Sequence, residues 1–287
     1  MKRRFAPLAG ARPQRIRTIL VGLDGSSFSE RALEAAVPLA VMMGARLFLL
    51  SAVAREEESD ERIRRLAELR PRDIPTEIDV LPDPDPADAI DSVVRDLGDA
   101  VACVASHGRG RSAALLGSVA NEVVGRRREP TIVVGPSFER ERLGRRVVAC
   151  VDENPRSTQV LPVASQWSEL LGGTLTVMTV AEPVPPPLTA GPVRRKFGPD
   201  DDVDWYLERV VRPLREQGQE VETKAVYDPI SPASGLRRYL WGNRAALVAL
   251  NARVRLELRH GVLAGVSSSM VRHSQVPVLI VPRPPSE

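Results

Sequence analysis

The residues best suited to chemistry form one stretch, Ala105-Ser106-His107-Gly108-Arg109-Gly110-Arg111-Ser112-Ala113-Ala114-Leu115-Leu116-Gly117-Ser118. An apolar run, Ala100 to Ala105, precedes it, and a helical pattern, Val119 to Val124, follows it. Strand, glycine-bearing basic loop and helix start together have the layout of an anion cradle. Glycine lets a backbone come close to a phosphate, and the free N–H groups at a helix N-terminus favour negative charge. Gly108 and Gly110 allow the tight loop, Gly117 and Ser118 offer backbone N–H groups, and Ser118 adds a hydroxyl. Val119 opens the helical pattern, and Arg109 and Arg111 add charge. His107 reads as a loop residue without a catalytic role. Loops of glycine and arginine also occur on plain surfaces, so the elements around this one must decide its use.

Other chemistry finds little support. The three histidines are scattered, and no C-x-x-C or Cys/His cluster exists to hold a metal. Cys103 and Cys150 each fall in an expected buried strand and read as small buried hydrophobes. Asp200-Asp201-Asp202 reads as helix-start charge rather than a cation site. With 40 basic and 37 acidic residues the net charge is only +3, which does not argue for nucleic acid. The basic segments Met1–Gln14 and Arg126–Arg128 are too dispersed to change that. No apolar run approaches the roughly 18 residues of a membrane span. Met1 to Gln14 lacks the apolar core of a signal peptide and reads as the flexible tail of a cytoplasmic protein.

A length of 287 residues suggests two domains, and 43% hydrophobic residues with only 4% aromatics favour closely packed helix-on-sheet layers. Ile16–Leu23 is a β-branched apolar run that reads as a buried strand ending before Asp24. Ser27 and Glu30 form a capping box for a helix that Pro38 should kink. Arg46–Val53 is the second strand, residues 56–70 a surface helix, and Thr76–Leu81 a third strand. Asp83-Pro84-Asp85-Pro86 turns the chain into a helix over Ala87–Leu97. Asp99–Ala105, Gly117–Arg127 and Thr131–Val134 complete five strands and four helices, a parallel sheet covered on both faces. In such sheets ligands sit beyond the carboxyl ends of the strands. If the first and fourth strands are neighbours, Asp24 and the glycine loop open onto one crevice. Asp24 could there meet a base or ribose, and Ser26 or Ser27 could assist.

Residues 136–145 read as a linker, after which the pattern repeats. Val147–Val151 ends in Asp152 as Ile19–Leu23 ends in Asp24, an offset of 128. Pro86-Ala87 recurs as Pro232-Ala233 at 146, and Pro130 as Pro277 at 147. One insertion, about residues 183–200, accounts for the jump. The copies are expected over residues 15–136 and 146–283. At the 147 offset Gly117-Ser118 falls on Ala264-Gly265, and Asn251–Leu263 has lost the glycine spacing. Nucleotide binding is therefore expected in the first half and not in the second.

ILVGLDGSSFSERAL, Ser-His-Gly-Arg-Gly and Leu-Leu-Gly-Ser-Val-Ala, followed by a final Pro-x-x-Val-Val strand, together resemble the universal stress protein family in tandem form. ATP-binding members carry a glycine pattern whose second and third glycines match Gly108 and Gly117, with Ser118 following. The first glycine is Ala105 here, and the interval from Gly108 to Gly117 holds eight residues where the family has nine. The resemblance implies ATP or a related adenine nucleotide, accompanied by magnesium, with the adenine near Asp24 and Ala52. It also implies two open five-stranded parallel sheets of order 3-2-1-4-5 that pair within one molecule through Thr131–Val134 and Val278–Val281. A homodimer stays open.

No general base or nucleophile is convincingly placed, so binding is the expected activity, with at most slow ATP hydrolysis. One alternative is an interaction or scaffold protein of the same fold that binds no nucleotide. Another is a hydrolase acting on adenine nucleotides.

Overall fold

The computed structural model describes residues 16–106, 117–181, 203–252, 254–255, 262–263 and 265–282. Its first half runs β1 (Thr18–Gly22), α1 (Ser27–Met43), β2 (Arg46–Val53), α2 (Ser59–Leu69), β3 (Thr76–Pro82), α3 (Pro86–Leu97), β4 (Ala100–Ala105), α4 (Ser118–Arg126) and β5 (Thr131–Val134). The second runs β6 (Leu143–Cys150), α5 (Val160–Leu170), β7 (Leu175–Ala181), α6 (Val203–Glu216), β8 (Val221–Tyr227), α7 (Pro232–Gly242) and β9 (Ala245–Ala252). A hairpin, β10 (Val254–Arg255) with β11 (Val262–Leu263), then leads to α8 (Val266–His273) and β12 (Val278–Pro282). The 183–200 insertion and Asp200–Asp202 lie outside the described residues.

Each half has strands in the order 3-2-1-4-5, parallel throughout. The pairing implied between Thr131–Val134 and Val278–Val281 is present, and it corrects the expected two sheets to one. β5 and β12 pair antiparallel, Val133 opposite Val278 and Thr131 opposite Ile280, and fuse the halves into one ten-stranded mixed sheet. Two short apolar strands would otherwise each present an unpaired edge, and the join removes both.

Strand alternation splits the core into two layers. Ile19 and Val21 face α1 and α2, while Leu20 faces α3 and α4. Both layers continue into the second half, through Trp167 and Leu207 on one face and Leu236 and Met270 on the other. Cys103 is fully buried, and burial pushes its thiol far up, consistent with a packing role. Cys150 is only half-buried, because it stands at the end of β6.

Two local expectations are revised. Ser26, rather than Ser27, caps α1: its Oγ accepts from Ser29 N at 3.2 Å, because Asp24 Oδ1 has already bent the chain by accepting Ser26 N at 2.9 Å. The 136–145 segment is not a free linker. β6 begins inside it at Leu143, and Ser137 and Glu139 bond to the end of α8, with Glu139 N donating to Gln275 O at 3.0 Å.

α3 shows how a carboxylate cap is reinforced. Pro86 occupies the first turn, Asp85 Oδ1 accepts from Ala87 N and Asp88 N, and Arg126 reaches Asp85 Oδ2 at 3.0 Å. Burial pushes the Asp85 carboxyl up. The Arg126 hydrogen bond and the N–H groups of Asp88 and Ala87 pull it further down, leaving it below its ordinary value. A carboxyl depressed in the folded chain stabilises fully above its unfolded pKa of about 4, and that stabilisation is lost as pH falls through the folded value. Asp85→Asn keeps a capping oxygen but cannot titrate. Its melting temperature should fall less steeply than wild type between about pH 5 and 3. Parallel melting curves across that window would contradict the assignment.

Candidate functional site

A cavity of about 310 Å³ opens where the carboxyl ends of β1, β2 and β4 meet α3 and the start of α4. Its sheet side is made by Gly22, Leu23 and Asp24 after β1, by Leu50 and Ala52 of β2, and by Val104 and Ala105 of β4. Pro86, Ala89 and Ile90 of α3 form one wall, and Gly117 to Ala120 form the other. Small residues at Gly22, Ala52, Ala89, Ala105 and Gly117 leave room among the larger Leu23, Leu50, Ile90 and Val104. A Cβ built at Gly22 would lie 2.9 Å from Ile90 Cδ1, so any side chain there would press into this space.

Of the residues singled out from sequence, Asp24, Ala52, Ala105, Gly117, Ser118 and Val119 all border this cavity. Ser26 stands one step back, its N–H and Oγ both donating to Asp24 Oδ1 at 2.9 and 2.6 Å. Gly108, Arg109 and Gly110 lie outside the described residues, as do His107 and Arg111. Sequence reasoning missed the α3 wall and Gly22. The small buried Ala89 beside Ile90, and a glycine ending an otherwise β-branched strand, were the available signals.

One assigned donor is already in use. Gly117 N donates to Ser106 O at 2.7 Å, which fixes the entry to α4. Helix geometry leaves the next three N–H groups, those of Ser118, Val119 and Ala120, without an intrahelical acceptor, and all three residues border the cavity. Gly117 is the N-cap with extended backbone (φ −61°, ψ 154°) and has no side chain to cap them. The cavity therefore presents an apolar slot with N–H donors at one end. Among the described residues no group of three His, Cys, Asp or Glu side chains is placed to hold a metal ion.

The sequence profile of the universal stress protein family matches the chain twice, over residues 15–135 and 144–282. This chain belongs to the universal stress protein family. A universal stress protein from Archaeoglobus fulgidus DSM 4304 is similar in fold over 94% of this chain and 100% of its own, with TM-score 0.66 and 18% identity. A functionally unknown protein from Pseudomonas aeruginosa PAO1 matches over 94% of each chain, with TM-score 0.62 and 16% identity. A universal stress protein solved in complex with cAMP matches 47% of this chain and 95% of its own, with TM-score 0.37 and 18% identity. No curated protein matches the sequence. Among the described residues no helix is long and apolar enough to cross a membrane.

The second universal stress unit repeats the turn but not the small lining. Asp152 accepts Asn154 N at 3.0 Å as Asp24 accepts Ser26 N, and Asp152 N bonds Ser157 Oγ as Asp24 N bonds Ser29 Oγ. The strand-end aspartate thus has a structural task in both units. At the sheet positions that border the first cavity, Gly22 is replaced by Cys150, Ala52 by Val180 and Ala105 by Asn251. Asn251 Nδ2 donates to Arg156 O at 2.6 Å, and Tyr206 donates its hydroxyl to Asp152 O. Burial first of all pushes the Tyr206 phenol up to about 12, so it stays a neutral donor. α8 does begin behind a glycine, Gly265, one position later than the 147 offset places it.

Proposed function

We propose that the first unit binds ATP or a related adenine nucleotide, and that the chain acts as a stress-response binding protein. The supporting observation is the junction of an apolar slot with the open N–H groups of Ser118, Val119 and Ala120. About 310 Å³ lies at the lower end of small-ligand sites and suits a base with its sugar. The phosphates would then run to the start of α4, with magnesium arriving on them. Residues 15–136 carry this site in our reading, and 146–283 support it. The enlarged lining at Cys150, Val180 and Asn251 is the reason for assigning the nucleotide to the first unit alone.

Gly117→Asp tests this directly. Aspartate is a favoured N-cap, and the backbone there is open to any residue, so the fold should be kept or slightly stabilised. The new carboxylate would take the same N–H groups and repel phosphate. ATP affinity measured by calorimetry should fall by about 100-fold, or about 2.7 kcal/mol. Wild-type protein without affinity at about 1 mM ATP would overturn the nucleotide reading. Equal affinity in Gly117→Asp would move the site elsewhere.

A scaffold that binds no nucleotide is the second reading. What favours it is Asp24, whose Oδ1 makes the same turn-forming bonds that Asp152 makes in the unit without the small lining.

A further inference from the structure

The internal repeat allows the two faces that carry α3 with α4, and α7 with α8, to be compared residue by residue. α3 maps onto α7 at an offset of 146, with buried Ala87, Ile90 and Val94 falling on buried Ala233, Leu236 and Leu240. The end of α4 maps onto that of α8 at 147, with buried Val123, Val124 and Arg127 falling on buried Met270, Val271 and Ser274. The packing positions agree, so differences between the facing polar positions are meaningful.

In the first unit opposite charges close the groove between the two helices. Arg126 meets Asp88 at 2.6 Å, and Arg127 meets Asp91 at 2.8 Å. In the second unit all four positions have changed. Ser234 stands for Asp88, Arg237 for Asp91, His273 for Arg126 and Ser274 for Arg127. Ser274 turns its hydroxyl back to Val276 O at 2.7 Å instead of reaching across. An open groove of about 600 Å³ remains, bounded by α7, the end of α8 and the segment that joins the units.

The charge of this groove is one-sided. Arg238 is taken by the buried Asp228, but no described carboxylate lies within ion-pair distance of Arg237. Glu139, the one carboxylate among the described lining residues, is held by Gln275 at 2.7 Å and by Arg142 at 3.5 Å. Partial burial, then Arg237 and Arg272, hold the His273 imidazole below its ordinary pKa, which reports the same positive field. Trp241 walls one end, with the Arg142 guanidinium 4.6 Å from its ring centre. The second unit has kept the helix pair and lost the acids.

We propose that this groove is an anion site for a small molecule bearing a phosphate or carboxylate, whose oxyanion lies between Arg237 and His273. An arginine fork suits such a group, and the volume suits a metabolite. The ligand supplies the negative charge that Asp88 and Asp91 supply in the first unit. This inference stands apart from the nucleotide reading.

The test is calorimetric titration of the full chain at low ionic strength, with pyrophosphate and, separately, with succinate. At least one of the two should bind. Arg237→Gln and Arg237→Asp, both at an exposed helical position, should each weaken it by about tenfold or more. Arg70→Gln, another exposed arginine, should leave it unchanged, and the Arg237-dependent part should persist in Gly117→Asp, whose first cleft repels phosphate. Binding by pyrophosphate alone would name the phosphate class, and by succinate alone the carboxylate class. The proposal is overturned if neither anion binds at about 10 mM. It is equally overturned if binding survives undiminished in both Arg237 variants, because the anion then sits elsewhere, and its loss in Gly117→Asp would place it in the first cleft.

Discussion

Gly135→Ala is expected to destabilise the chain by about 3 kcal/mol, although it adds a single methyl group. Gly135 follows β5 at the join of the two units, and a Cβ built there would lie 1.9 Å from Val271 O and 3.1 Å from its carbonyl carbon. These atoms belong to the backbone of α8, which cannot swing aside as a side-chain end does. Relief requires α8 to move away from β5. That movement would strain the bonds from Ser137 to Arg272 O and between Glu139 and Gln275, which tie the same seam. For a cooperative unit of this size the melting temperature should drop by about 6–12 °C. Gly44→Ala provides a useful contrast, since a Cβ there meets nothing within 4 Å and only its left-handed φ of 64° resists the change. That variant should lose about 1 kcal/mol. If Gly135→Ala melted with wild type, β5 and α8 would not be in the contact described.

Asp91→Ala should cost a similar amount, about 3 kcal/mol, by a different route. Its partner Arg127 has a side chain only 2% exposed, and the Asp91 carboxylate lies 2.8 Å from its Nη1. Glu129 reaches the other terminal nitrogen at 3.5 Å but is half-exposed, so it compensates only in part. Removing Asp91 leaves a buried guanidinium whose desolvation is no longer offset. The double change Asp91→Ala with Arg127→Met should recover most of the loss, because a buried pair can be exchanged for apolar packing at little net cost. Chemical denaturation of the two variants decides the matter. An equal loss in single and double variants would mean that shape, not charge, is what the pair supplies. The second unit offers a natural parallel, since Ser274 stands in place of Arg127 and satisfies itself on Val276.

The sequence by itself determined the units and nearly all their elements. Hydrophobic period is a local property, and runs such as Arg46–Val53, Thr131–Val134 and Val221–Tyr227 have no competing pattern, so strands form over those residues. The offsets between Asp24 and Asp152 and between Pro86 and Pro232 disclosed the repeat, because each marks a turn that the backbone must make twice. Gly117 was legible from the glycine loop before a helix start, and Ala52 and Ala105 from the family resemblance; all three border the cavity.

Only the tertiary structure decided the rest. Which serine caps α1 depended on the Asp24 carboxylate, and which N–H groups stay open at α4 depended on Ser106 O accepting from Gly117. Neither bond follows from periodicity. The family resemblance implied that β5 and β12 pair, but the antiparallel direction and the register, Ile132 opposite Leu279, that make one sheet of the two are set between strands more than a hundred residues apart. The open groove of the second unit became visible only when Asp91 and Arg127, 36 residues apart, were seen in contact. Charge pairs across packed helices are set by how the helices dock, and a sequence read along its length does not contain that distance.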